Sequence, residues 1–156
     1  MEMILFTGIP GSGKSTFYLE RFFHTHVRIN LDMLKTRRRE MLLVQACLTG
    51  KTKMVIDNTN VSAAERAVYI ALAREAGFRV EGYYFQAELK EALQRNRLRA
   101  GKARINDKGL VARYRQLEIP AFAEGFDQLY DVRINLVTHQ FNVEERLLPG
   151  IYSGNP

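Results

Sequence analysis

A three-layer α/β fold is predicted, with a mostly parallel central sheet of about five strands covered by helices on both faces. Three observations predict it. Short apolar runs alternate with longer amphipathic ones about five times along the chain. The first run, Met3–Thr7, is apolar and ends in glycine, as a buried strand does. The chain has 156 residues, 46% hydrophobic and 26% charged, which fits a single globular domain over 1–156 and argues against disorder.

The elements follow in order. Met3–Thr7 reads as a strand, Lys14–His24 as a helix and Val27–Asn30 as a short strand. Leu31–Leu48 reads as one helix ending near Gly50, and Thr52–Asp57 as a second apolar strand. Ser62 opens the next helix with a capping box, because Glu65 lies three residues on, and Gly77 closes it. Phe78–Gln86 is a strand and Glu88–Ala100 a helix, followed by the short basic loop Gly101–Asn106. Asp107 caps a helix running to about Glu118, before Pro120, and Tyr130–Val137 is the last strand. A frayed tail is expected over about 149–156. In such a sheet ligands bind beyond the carboxyl ends of the strands, so functional residues are expected just after each one.

Charge and cysteine content narrow the function. The net charge is +6 and the pI about 9.6. Sixteen of the 23 basic residues are arginine, whose forks match phosphate oxygens two at a time. A phosphate-rich partner is expected. The lone Cys47 leaves no internal disulfide and no Cys-rich zinc site. No apolar run approaches the ~20 residues of a membrane span. The opening MEMILFTGIP carries an acid where a secretory leader needs bases. The expected compartment is the cytoplasm.

Gly8-Ile9-Pro10-Gly11-Ser12-Gly13-Lys14-Ser15 matches G-x-x-x-x-G-K-[ST] in full, between a strand and a helix. Gly8, Gly11 and Gly13 let the backbone turn its N–H groups toward phosphates. The helix start adds its positive end. Lys14 reaches the β/γ-phosphates, Ser15 offers its hydroxyl to Mg²⁺, and Ser12 and Thr16 complete the cradle. ATP with Mg²⁺ is the expected cofactor pair, on a P-loop NTPase or kinase fold.

Further candidates sit at other strand ends. Met54-Val55-Ile56-Asp57 has the form of a Walker B strand, and Asp57 either holds Mg²⁺ or caps the next turn. Asn58-Thr59-Asn60 orders that loop or touches the acceptor. Asp32 follows the second strand, where a carboxylate can accept a proton from an attacking hydroxyl or complement a helix dipole. Arg95, Arg97 and Arg99, with Lys102 and Arg104 beyond, read as a short basic lid over about 95–106 or as a solvated face. Lys35-Thr36-Arg37-Arg38-Arg39 is a second basic cluster, placed to grip an acceptor's phosphates or to face solvent. The Asn-Lys-x-Asp guanine signature and the LSGGQ run are absent from the sequence, which leaves the small-kinase class.

These residues resemble the kinase domain of the polynucleotide 5′-kinases of phage end-healing enzymes and polynucleotide kinase–phosphatases, over roughly residues 1–137. The likeness rests on Arg28-Ile29-Asn30-Leu31-Asp32, Val55-Ile56-Asp57-Asn58-Thr59-Asn60, Arg95-Asn96-Arg97-Leu98-Arg99 and Ala123-Glu124-Gly125-Phe126. It implies that Asp32 is the general base. It implies that Lys14, Arg95 and Arg99 hold the donor's phosphates, with Arg99 the stronger lid arginine. Lys35 falls where relatives carry an arginine on the acceptor's phosphate. Asp57 and Asn58 fall in the acceptor-side or metal-side loop, with Asn60 and Arg38 beside the acceptor. No Asp-x-Asp phosphatase motif is present, so a kinase alone is implied, in a host's cytoplasm if the source is viral.

The resulting expectation is transfer of the γ-phosphate to a 5′-hydroxyl end of DNA or RNA. Kinases for a hydroxymethylated base or a small metabolite, and a non-catalytic nucleotide-dependent binding module, are the alternatives. Smaller signals read as structural. His24 and His26 end the first helix, Cys47 is a buried thiol, and Tyr83, Tyr84 and Phe85 pack a strand. Phe122–Phe126 packs under the lid or walls the adenine.

Overall fold

The structure is a computed structural model that describes residues 1–101 and 104–149. In chain order the elements are β1 (Glu2–Thr7), α1 (Lys14–Arg21), β2 (Val27–Ile29), α2 (Leu31–Leu34), α3 (Arg37–Thr49) and β3 (Met54–Ile56). There follow α4 (Ala63–Glu75), β4 (Arg79–Phe85), α5 (Leu89–Leu98), α6 (Asp107–Gln116), a 3₁₀ turn (Phe122–Glu124), β5 (Gln128–Ile134) and β6 (Phe141–Glu145).

The sheet order is β2-β3-β1-β4-β5-β6. The first five strands are parallel, and β6 runs antiparallel to β5. Parallel neighbours need crossovers, and helices supply them on both faces. The central strand β1 shows why this sequence makes layers. Its side chains alternate, and both sets are apolar. Met3 and Leu5 enter one cluster with Val44 and Leu48 of α3 and Tyr69, Ile70 and Ala73 of α4. Ile4 and Phe6 enter the other with Phe17 and Tyr18 of α1 and with Phe85 and Val132. All four β1 side chains are fully buried, and each such burial contributes about 1.5–3 kcal/mol. Cys47 lies in the first cluster.

Four sequence expectations need correction. The sheet has six strands rather than about five, because Phe141–Glu145 adds an edge. Its run is half exposed and mixes polar with apolar residues, so it carries a weaker signal than the buried strands. The single helix expected over Leu31–Leu48 is two. Lys35 adopts a left-handed φ of 74°, and the Thr36 hydroxyl accepts from the Arg39 N–H to start α3 afresh. Asn106, not Asp107, caps α6, accepting from the Gly109 N–H. The Phe122–Phe126 segment belongs to a core cluster other than the one that holds the described lid-side residues Ala92 and Ile105. Phe122 and Phe126 pack into the α3–α4 cluster, and Arg74 of α4 donates to the Gly125 carbonyl. The basic lid loop and the frayed tail fall partly outside the described residues, at Lys102 and beyond Pro149.

Arg66 is a charge buried without solvent access. Its Nε and Nη2 clasp both oxygens of Glu124 at 2.8 and 3.0 Å, and its Nη1 donates to the Asn60 and Val61 carbonyls. A fork of this kind has no substitute in lysine. Arg66→Ala removes the fork from Glu124 and from both carbonyls, leaving Glu124 only the Ala121 N–H and Val61 only the Glu118 N–H. It is expected to cost about 3–5 kcal/mol of folding stability, read as a lower midpoint in urea denaturation with the slope unchanged.

Candidate active site

The phosphate loop joins β1 to α1. Gly13 has a φ of 97°, and a Cβ there would lie 2.8 Å from Ile134 Cδ1 and 3.0 Å from Phe141 Cε1. Only glycine fits where the β5–β6 hairpin presses on the loop. Gly8 is closed in as well, by Ser12 Oγ and by Phe85. Lys14 folds back along the loop, donating from Nζ to the Gly8 and Ile9 carbonyls at 2.8 and 2.9 Å and to Ser12 Oγ at 3.3 Å. Burial brings its ammonium down from 10.5 to about 8; Asp57 and Asp32 pull it back up, and Arg99 pushes it down.

The loop after β3 faces the phosphate loop. Ser15 Oγ donates to Asp57 Oδ2 at 3.1 Å. Arg28 on β2 spans the pair, from Nε to Asp57 Oδ2 at 2.8 Å and from Nη2 to Ser15 Oγ at 2.9 Å. A carboxylate and a hydroxyl side by side are hard oxygen donors of the kind Mg²⁺ takes, so the donor set fits the expected metal. Arg28 already donates to both of these oxygens. The rest of the loop is tied down. The Gly8 N–H donates to the Thr59 carbonyl at 2.9 Å, and Asn60, at a left-handed φ of 43°, donates to the Phe6 carbonyl at 2.8 Å.

Asp32 lies in the first turn of α2, exposed at the mouth of this cleft. The turn is bolted to the β3 loop on both sides of it. Asn30 caps α2, accepting from the Met33 N–H while donating to the Asp57 carbonyl at 2.6 Å. The Leu31 N–H donates to Asn58 Oδ1 at 2.8 Å.

The α5–α6 pair rests on the phosphate loop. Ile9 is buried against Ala92 and Leu110, and Arg95 Nη1 donates to the Gly11 carbonyl at 2.7 Å. Buried Asn96 pairs with both backbone groups of Ile105 and so ties α5 to the residue just before the α6 cap.

One cleft of about 1090 Å³ gathers Gly11, Lys14, Ser15, Asp32, Lys35, Asp57, Asn58, Asn60 and Arg99 of the sequence-predicted site residues. Arg95 touches the loop from behind, and Thr16 is exposed one residue past Ser15. Arg38 is exposed and outside the cleft lining, whereas its neighbour Arg37 is within it. Sequence reasoning gives no role to Arg28, Glu40, Arg66 or Arg113. Arg113, on α6, lines the cleft and pairs with Glu65 at 3.0 Å. Six cationic side chains line the cleft against three carboxylates. It therefore suits an anionic guest.

A parallel sheet with a glycine loop, its lysine and a facing acid at the strand ends defines the class: a P-loop kinase fold. The chain belongs to the family described as an AAA domain, which matches residues 35–117, just over half of it. It is 25% identical over 135 residues to the bifunctional polynucleotide phosphatase/kinase of Schizosaccharomyces pombe, a match covering 84% of this chain and 33% of the relative. A mimivirus protein described as a bifunctional polynucleotide phosphatase/kinase is 37% identical over 79 residues, 49% of this chain and 18% of its own. The chain thus spans a third or less of these relatives' length. Among solved structures, Chaetomium thermophilum Kti12 in complex with ADP-AlF3 superposes with a TM-score of 0.65 at 16% identity, covering 84% of this chain and 88% of that one. A gluconokinase from Sinorhizobium meliloti superposes at 0.59 and 17%, covering 85% and 82%. At these identities the superpositions speak to fold alone. No described helix is long and apolar enough to cross a membrane.

The low Lys14 value gives a pH signature. A bound triphosphate favours the ammonium form and raises its pKa, so nucleotide binding takes up a proton where the free lysine has lost one. Affinity for ATP is expected to fall as pH rises through about 8. Calorimetry in buffers of different ionisation enthalpy should show proton uptake near pH 8–9 and little at pH 6.5, and Lys14→Met should abolish it.

Proposed function

We propose that this chain is an ATP-dependent polynucleotide kinase that transfers the γ-phosphoryl group to a 5′-hydroxyl end of DNA or RNA. The observation that carries the proposal is Asp32. Its carboxylate stands in the same cleft as Lys14, Ser15 and Arg99, on a helix turn anchored to the loop opposite the phosphate cradle. Phosphoryl transfer to an alcohol needs such a base across from the phosphates and little else beyond positioning and charge. Polynucleotide acceptors are further supported by the names of the two relatives and by the cations Lys35 and Arg37 beside Asp32.

Asp32 accepts the proton of the acceptor hydroxyl as its oxygen attacks the γ-phosphorus in line and ADP leaves. Lys14 and Arg99 hold the phosphoryl oxygens while negative charge spreads over them. Ser15 and Asp57 would hold Mg²⁺, which would supply a further positive charge for the donor's phosphates. Lys35 and Arg37 face the acceptor's phosphates. Lysine at position 35 acts as a point charge, not a fork, and grips less directionally than arginine would.

Incubation with γ-labelled ATP and a 5′-hydroxyl oligonucleotide should place label at the 5′ end. Label on an internal base or only on a metabolite redirects the reading to another hydroxyl acceptor, and binding without transfer to a nucleotide-dependent module. Asp32→Ala should abolish transfer with ATP affinity nearly intact. Arg99→Ala should lower the rate about 10²-fold or more. The affinity for the oligonucleotide should fall steeply with added salt, and less steeply after Lys35→Ala.

A further inference from the structure

We propose that buried Glu40, acting through Asn58, is a positioning residue that sets where Asp32 stands. The inference rests on the reading of Asp32 as the base. Glu40 lies on α3 with no solvent access. It sits outside the cleft lining, and so touches neither donor nor acceptor. A carboxylate in that place is costly unless it is fully paired. Its partners are all donors. Tyr69 OH of α4 donates to Oε1 at 2.5 Å, Asn58 Nδ2 to Oε2 at 2.8 Å, and Arg37 Nη1 to Oε1 at 3.1 Å.

Asn58 passes this constraint on. Its amide has one possible orientation, because the carboxylate can only accept and the Leu31 N–H can only donate. Nδ2 therefore faces Glu40 and Oδ1 faces Leu31, at 2.8 Å each. Leu31 is the residue before Asp32 and the first of α2. The helix is only four residues long and leans on its ends. Asn30 secures the turn from one side through the Asp57 carbonyl, and the Glu40–Asn58 pair secures it from the other. An internal charge on α3 thus fixes the first turn of α2, and with it the carboxylate at the cleft mouth. Asn58, read from the sequence as ordering its loop or touching the acceptor, has both amide atoms in this internal pairing.

The polarity of the relay can be reversed without changing its shape, and that is the test. Glu40→Gln presents an amide to the Asn58 amide, and Asn58→Asp presents a carboxylate to Glu40. Each single change breaks the line. In the double variant the amide introduced on α3 donates to the carboxylate introduced on the β3 loop. That carboxylate still accepts from the Leu31 N–H, and Tyr69 still has an amide oxygen to donate to. Each single variant is expected to lose on the order of 10- to 100-fold in kcat for transfer to a 5′-hydroxyl oligonucleotide. ATP affinity, read by a fluorescent nucleotide analogue, should stay within about twofold, and kcat should recover to within about threefold in the double variant. Exchange of the Leu31 amide, followed by NMR, should quicken in the singles and slow again in the double.

A general loss of folding would lower nucleotide affinity in parallel with kcat and would not be repaired by the second change. Additive losses, with no recovery of kcat or amide protection, overturn the relay, as do single variants with wild-type kcat. Asp32→Ala separates the two readings. If it is inactive while the cycle is additive, the relay alone is wrong. If it transfers phosphate well, the base assignment falls and takes the catalytic consequence of the relay with it.

Discussion

The residues that follow β3 must run through the middle of the molecule with every polar group paired, and the cleft takes its shape from how that is done. Asp57 and Asn60 are buried. A buried backbone or side-chain polar group without a partner costs about as much as several good contacts return. Partners arrive from all sides: Arg28 and Asn30 from the second strand and its end, Glu40 from α3, Phe6 and Gly8 from the central strand and phosphate loop, and Arg66 from α4. Among the described residues no buried side-chain nitrogen or oxygen lacks a partner. The same bonds that satisfy the loop fix the relative positions of the phosphate cradle and α2. Satisfying the interior and assembling the site are one operation here.

Electrostatics pull the other way. Packing cations around one cleft suits a polyanion but strains the empty protein. At Lys14 burial favours the neutral amine; Asp57 and Asp32 oppose that, and Arg99 adds to it. Its ammonium settles on the carbonyls of its own loop. Arg28 similarly lends its positive charge to Ser15 and Asp57. The site is thus held in form by internal partners at Lys14 and at the Ser15–Asp57 pair. Such preorganisation spares the protein from rebuilding the site at the moment of binding.

Much of the donor side is legible in the sequence, because a glycine loop, its lysine and an apolar strand ending in an acid are local patterns. The parallel sheet is legible for the same reason: β1, β3 and β4 are buried in the sheet's interior and read as largely apolar runs. What escapes is nonlocal. Nothing adjacent to Glu40, in a basic stretch of α3, marks it as fully buried; the burial depends on Tyr69 and Asn58, far along the chain. Arg66 looks like one more helix-surface arginine until Glu124 is brought beside it. The break between α2 and α3 is partly readable, since Thr36 is a good cap. The left-handed turn at Lys35 is not, because lysine carries no preference for it. Edge strand β6 escapes because an edge needs no uniform apolarity.

The two halves of the cleft differ in how they are held, and that difference bears on what varies. On the donor side, the phosphate loop is pinned by β1 and α1, by the α5–α6 pair through Ile9, and by the β5–β6 hairpin at Gly13. A change there disturbs several contacts at once. On the acceptor side, Asp32 and Lys35 stand on or beside a four-residue helix whose exposed face meets solvent, and Arg113 reaches in from α6 with Glu65 as its main restraint. Substitutions at such positions change the guest without unseating the fold. In this chain Glu40 and Asn58 join the halves: buried Glu40 accepts from the Asn58 amide, and Asn58 accepts from the Leu31 N–H at the start of the turn that carries Asp32.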